Sequence, residues 1–153
     1  MNKESQKVMF SSKTAEWTTP QNFYDRLDQE FGFTLDPCST DTTAKCSSYY
    51  TEADDGLSQS WAGHSVFMNP PYGRSIKNWI RKAYEESQKP NTVVVALIPA
   101  RTDTRYWHDY CMEASEIRFI KGRLKFGDSK NSAPFPSAVV VFGSGSNPQI
   151  SRM

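Results

Sequence analysis

The chain has 153 residues, 37% hydrophobic and 13% aromatic, with 18 Lys and Arg against 17 Asp and Glu. That is enough apolar material for one domain with its own core, and it excludes a disordered tail. No apolar run approaches the ~20 residues of a membrane span, and the opening MNKESQKVMFSSK lacks the apolar centre of a secretory signal, so the chain reads as a soluble cytoplasmic protein with no membrane partner and an oligomeric state left open.

In chain order, residues 1–16 are polar and aperiodic and read as a flexible arm. Thr19-Pro20 suits the cap and first position of a helix carrying Phe23, Leu27 and Phe31 on one face and stopped by Gly32. Residues 33–36 predict a short strand ended by Pro37, residues 38–48 a turn-rich stretch, and residues 49–51 a second short strand. An acidic loop over 52–64, anchored by Leu57 and Trp61, leads to a third strand over 65–69. Ser75 can cap a helix whose stripe is Ile76, Trp79, Ile80, Ala83 and Tyr84. Residues 92–98 are apolar on both faces, as a central parallel strand is. A helix over 103–114, with Trp107 and His108 as core positions, precedes closing strands over 117–126, broken at Gly122, and 138–142. The folded domain is thus expected over 17–143, with a flexible tail over 144–153. The alternation predicts an α/β sheet of about six strands with helices on both faces. Ligands of such sheets sit beyond the carboxyl ends of the strands, which puts Asp36 and the stretch Asn69-Pro70-Pro71-Tyr72-Gly73 in one crevice if strands 33–36 and 65–69 are neighbours. Cys38, Cys46 and Cys111 form no C-x-x-C pair, and neither His64 nor His108 completes a zinc pattern, so reduced thiols and no metal are expected.

Asn69-Pro70-Pro71-Tyr72 ends an apolar strand and precedes a capped helix. Its composition suits the activation of a poor amino nucleophile. The exocyclic amine of adenine shares its lone pair with the ring. Acceptors off the ring plane that take both amine hydrogens favour a pyramidal nitrogen. The Asn69 amide oxygen is one such acceptor and the Pro70 carbonyl the other. Two prolines stiffen the turn and remove two N–H donors. Tyr72 offers a face for a base swung out of a duplex, and Gly73 leaves it room.

These residues, with W-T-T-P at 17–20, F-G-F-T-L-D-P at 31–37, A-K-C at 44–46, D-G-L at 55–57, P-A-R-T-D-T at 99–104, I-K-G-R-L-K-F at 120–126 and A-P-F-P-S at 133–137, make a chain that resembles the phage-type DNA N6-adenine methyltransferase (Dam) family. The resemblance runs from about Trp17 to Phe142. It implies a reduced class I (Rossmann-like) fold, S-adenosylmethionine as cofactor and double-stranded DNA of a phage or prophage-bearing host as partner. It implies roles as well. Thr19-Pro20 lies beside the methionine end of the cofactor unless it is a plain helix cap. Asp36-Pro37-Cys38 stands at the first cofactor motif, its carboxylate holding the ammonium or sitting near the sulfonium. Asp55 receives the adenine amine of the cofactor unless Asp55-Gly56 is only a turn, and Glu52 and Asp54 compete for the ribose. The glycine-rich turn usual after the first strand is missing, since residues 36–41 contain no Gly. That departure keeps a catalytically degenerate DNA-binding domain open as an alternative, as does an acceptor in RNA or a protein glutamine.

Residues 1–73 carry five Lys and Arg against ten Asp and Glu, and residues 74–153 thirteen against seven. The basic half supplies candidate DNA contacts at Arg74, Arg101, Arg123 and Lys125, with Lys130 nearby. Arg123 and Lys125 share a strand face that serves equally as a solvated surface. Arg101 follows a central strand near the supposed site. Pro134-Phe135-Pro136 is either a second wall beside the base or the rigid start of strand 138–142.

Overall fold

The computed structural model describes residues 18–127, 131–143 and 147–153. The expected arm over 1–16, Trp17 and Lys130 lie outside them. The elements are α1 (Gln21–Phe31), β1 (Ser65–Met68), α2 (Ile76–Ser87), β2 (Val93–Pro99), α3 (Arg105–Asp109), β3 (Glu116–Phe119), β4 (Ser137–Phe142) and β5 (Gln149–Arg152), with 3-10 turns at Gly56–Ser58 and Cys111–Glu113.

One mixed five-stranded sheet runs in the order β1-β2-β4-β3-β5. β1 and β2 are parallel, β4 is antiparallel to both β2 and β3, and β5 is parallel to β3. Alternate residues of the central strands divide between two apolar clusters, as period-2 geometry requires. Val94, Ala96 and Ile98 join Ile76, Trp79, Ile80 and Ala83 of α2 and Trp107 of α3. Val95 and Leu97 join Phe23, Tyr24 and Leu27 of α1, with Phe126 and Phe135.

Several expectations are corrected. Pro20, not Thr19, is the N-cap of α1, without a side-chain cap bond; the Thr19 hydroxyl is engaged elsewhere, as described below. At the other end of α1, Gly32 takes φ +60° and its N–H returns to Asp28 O, closing the helix as predicted. Residues 33–36 and 49–51 do not form strands. They contribute single parallel bridges, Leu35 to Val66 and Asp36 to Tyr49, because Pro37 and the turn after it carry the chain off the ladder at once. Among the described residues the sheet therefore has five strands rather than about six. The strand expected over 117–126 stops at Phe119; Gly122 at φ +79° turns the chain, and Leu124 O then accepts from Ala133 N. The helix expected over 103–114 is only α3 and a 3-10 turn, since Tyr110 leaves helical geometry at φ −123°. Trp107 is buried, whereas His108 is exposed and bonds Thr102 O at 2.8 Å. Residues 149–152, expected to fray, pair with β3 as β5.

One buried charge fixes the loop that precedes β1. Glu86 on α2, 3% exposed, accepts the Trp61 backbone N–H and pairs with Lys82 and Lys89. Trp61 stacks on Trp79 and its indole N–H donates to Gly56 O at 3.0 Å. Glu86→Ala strands a buried donor and two ammonium groups, so a loss of about 3 kcal/mol is expected in urea unfolding; Glu86→Gln, which keeps an acceptor for Trp61, loses less.

Candidate active site

Asn69 is the first residue beyond β1, and Ala100 the first beyond its parallel neighbour β2. With Leu35 bridged to Val66, the chain at Asp36 reaches the same edge. The crevice expected from the sequence is therefore present.

Within it the Asn69 amide is held at both ends. Its Nδ2 donates to Thr19 Oγ1 at 3.0 Å, and its Oδ1 accepts from the Tyr72 hydroxyl at 3.0 Å. That hydroxyl also reaches Leu97 O at 3.4 Å. The Asn69 backbone N–H points at the Cys38 thiol, whose pKa burial pushes up. Tyr72 stands perpendicular to Phe126 and Phe135, with centroids 6.4 and 5.4 Å away. Burial drives its phenol pKa far up, so the hydroxyl remains a donor. Tyr72 is thus a clamped member of an aromatic cluster rather than a free surface ring.

Three hollows meet here. The first is walled by Thr19, Asp36, Cys38, Ser39, Lys45, Asn69, Pro70, Pro71 and Tyr72. A second shares Cys38 and Ser39 with it and adds Pro37, Thr51, Glu52, Asp55, Gly56 and Trp79. The third, of ≈ 410 Å³, shares Tyr72 and adds Gly73, Arg101, Thr104, Tyr106, Pro134 and Phe135.

The first two hollows fit a polar ligand carrying a cation. Asp36 is 5% exposed, and burial raises its pKa to about 6 against the backbone N–H groups of Lys45 and Cys38, which lower it. Lys45 N donates to Asp36 Oδ2 at 3.0 Å, so the carboxylate itself organises the glycine-free turn. The carboxylate is ionised at neutral pH in a place that disfavours charge. The Ser39 hydroxyl, on the wall common to both hollows, is buried without a partner among the described residues. Gly56 brings Asp55 against this wall. A Cβ on Gly56 would sit 2.1 Å from Pro37 O, closer than any side chain tolerates. Asp55 itself is exposed at φ +55°. Gly56→Ala is therefore expected to cost about 2 kcal/mol or more by overpacking, read in thermal unfolding, and to weaken ligand binding through the displaced wall.

Comparisons with known proteins identify the family. The profile of the family described as "DNA N-6-adenine-methyltransferase (Dam)" matches residues 7–143. The chain belongs to the Dam family. It is 29% identical over 135 residues to the DNA N-6-adenine-methyltransferase of Haemophilus phage HP1 (strain HP1c1), covering 82% of this chain and 77% of that protein. It is also 36% identical over 64 residues to YfdM of Escherichia coli (strain K12), covering 37% of this chain and 70% of that protein. Membership of the Dam family makes the chain an adenine-specific DNA methyltransferase, acting on N6 with a methyl donor.

The remaining candidates of this Dam family chain fall into three groups. Thr19, Asp36, Pro37, Cys38, Asp55, Asn69, Pro70, Pro71, Tyr72 and Arg101 line the joined hollows. Pro20 stands outside those walls as a helix cap. Arg74, Arg123 and Lys125 are exposed; Arg123 Nη1 donates to Ala133 O at 3.3 Å and so also ties two loops together. Arg101 lies 5.8 Å from the Phe135 centroid, over the ring, and Pro134 and Phe135 of the Pro134-Phe135-Pro136 segment wall the third hollow. The segment also starts β4, through Ala100 N to Pro136 O at 2.9 Å. Sequence reasoning assigned no role to Ser39, Lys45, Thr104 or Tyr106. Lys45 had a signal in the A-K-C motif and Thr104 in P-A-R-T-D-T; Ser39 and Tyr106 had none beyond lying near a motif. The three cysteines are free thiols, and no group of metal-ligating side chains occurs among the described residues. Among those residues no helix is long and apolar enough to cross a membrane.

Proposed function

We propose that residues 17–143 form a reduced class I methyltransferase domain with helices on both faces of its sheet. It transfers a methyl group from S-adenosylmethionine to N6 of an adenine extruded from double-stranded DNA, in the cytoplasm of a bacterial host. The strand order, with antiparallel β4 between β2 and β3, supports the fold, as does the separation of α1 from α2 and α3 into different clusters. The observation that carries the function is the position of Tyr72 on the wall shared by the Asp36 hollow and the ≈ 410 Å³ cleft, with its hydroxyl bonded to Asn69 on the Asp36 side.

In this reading Asp36 holds the ammonium of the cofactor, with Thr19, Pro20, Pro37 and Cys38 around its methionine end and Asp55 at its adenine amine. When bound, the cofactor supplies an electrophilic methyl on a sulfonium whose departure leaves a neutral thioether. The adenine enters the ≈ 410 Å³ cleft against the wall that Tyr72 and Phe135 form together, with Arg101, Arg74, Arg123 and Lys125 toward phosphates. Asn69 Oδ1 and Pro70 O accept its two amine hydrogens and turn the nitrogen lone pair toward the methyl. The surplus proton left on nitrogen passes to solvent. The Tyr72 hydroxyl gives up Asn69 Oδ1 as the amine arrives, so the contact seen here belongs to the state without DNA.

The direct test supplies methyl-labelled S-adenosylmethionine to duplex DNA, RNA and glutamine peptides in competition. Labelled N6-methyladenine from the duplex is expected; label confined to RNA or peptide overturns the reading. Tyr72→Phe is expected to methylate within about threefold of wild type, because the ring is the working part. Tyr72→Ala loses tenfold or more in kcat/KM, the worth of about one base–aromatic stack.

A further inference from the structure

Lys45 shares the first hollow with Asp36, and the two are tied together by the Lys45 backbone N–H at Asp36 Oδ2, 3.0 Å. Its ammonium is held in place by a neutral group. Nζ donates to Gln21 Oε1 at 2.8 Å, and the Gln21 amide is itself oriented by donating to Asp25 Oδ1 at 2.8 Å. The ammonium also lies 5.9 Å from the Tyr24 ring centroid. The side chain is half-buried, and burial lowers its pKa while the nearby Asp36 and Asp25 raise it. Among the described residues it forms no ion pair within contact distance. One wall therefore presents a buried carboxylate and a half-buried ammonium, near enough to influence each other and, among the described residues, each without a contacting counter-ion.

Separated opposite charges of this kind are complementary to a small zwitterion. A ligand bearing an ammonium and a carboxylate on one carbon neutralises both groups at once, where a plain cation would serve only Asp36. We propose that Lys45 binds the carboxylate of the α-amino-acid end of the methyl donor while Asp36 takes its ammonium, with Gln21 as the residue that positions Lys45. The proposal rests on the reading of the first hollow as the cofactor site and adds the group that recognises the carboxylate. It also explains why the glycine-free turn is tolerated. The charged side chains grip the amino-acid end, and close backbone approach is not needed there.

The test is calorimetric titration of the full chain with S-adenosylhomocysteine and with its decarboxylated analogue, which keeps the ammonium and lacks only the carboxylate. Wild type is expected to bind the analogue about 10- to 100-fold more weakly, the worth of a charge-assisted hydrogen bond. In Lys45→Met that preference collapses to within about threefold, and Lys45→Arg restores most of it. Equal affinity of wild type for the two ligands overturns the proposal whatever the variants do, as does a Lys45→Met protein that keeps the full preference. Wild type that binds neither ligand overturns the cofactor reading and this proposal together. Binding with no preference removes the Lys45 role alone.

Discussion

Asn69→Ala is expected to lower methyl transfer to duplex adenine by about 10²- to 10³-fold in kcat, the usual effect of deleting one preorganised polar group at a reacting centre. The same change deletes two hydrogen bonds, one to Thr19 and one from Tyr72. Their loss in a half-buried side chain is worth about 1–2 kcal/mol of stability. The two effects separate because stability is read by unfolding without DNA and turnover by labelled methyl incorporation below the melting range. Asn69→Asp provides the contrast. It keeps an oxygen acceptor for Tyr72 and for the amine but loses the donor to Thr19, so it retains more turnover than Asn69→Ala and loses less stability. Wild-type turnover by Asn69→Ala would remove the amide from the chemistry and leave Asn69-Pro70-Pro71-Tyr72 as a structural elbow.

The centre of this site was legible because its signals are local. An apolar run ended by an amide and two imino acids states where a strand stops and what faces outward. The helix stripe through Ile76, Trp79, Ile80 and Ala83 states which side is covered. What escaped reading depends on partners distant in sequence. Thr19 looked like a helix cap. Its hydroxyl instead meets Asn69, 50 positions away, and Pro20 takes the cap position. Tyr72 is three residues from Asn69, so their bond is local, but its confinement by Phe126 and Phe135 required two segments more than 50 positions along the chain to come together over it. The short strands failed for a related reason. A single bridge at Leu35 and another at Asp36 leave almost no ladder for β-propensity to describe. β5 has the opposite history: its four residues are all exposed, so no apolar alternation announced it. Its backbone pairing with β3 holds it in place.

Asp36→Asn is expected to make the ligand-free protein more stable at pH 8 while abolishing most cofactor affinity. Burial raises the Asp36 pKa from 3.8 to about 6 in the folded chain. Because the folded value lies above the unfolded one, the contribution of the neutral acid is fully present below the unfolded value and is lost as pH rises through the folded value. At ~1.4 kcal/mol per pKa unit, ionised Asp36 costs the fold about 3 kcal/mol at pH 8 as an upper figure. An amide removes that cost and still accepts from Lys45 N. The stability gap between variant and wild type therefore closes as pH falls from 6 toward 4, where both side chains are neutral. Binding runs the other way. A ligand ammonium stabilises the carboxylate, so association below pH 6 releases a proton and weakens by up to tenfold per pH unit. Asp36→Asn loses that dependence together with the affinity. Thermal melts from pH 4 to 8, with and without S-adenosylhomocysteine, read both effects in one series. A variant less stable than wild type at pH 8 would mean that the carboxylate is a structural necessity. A variant that still binds S-adenosylhomocysteine with wild-type pH dependence would mean that the ammonium is held elsewhere. The expected pairing of higher stability with lost binding marks a residue kept ionised in an unfavourable place for the sake of its ligand.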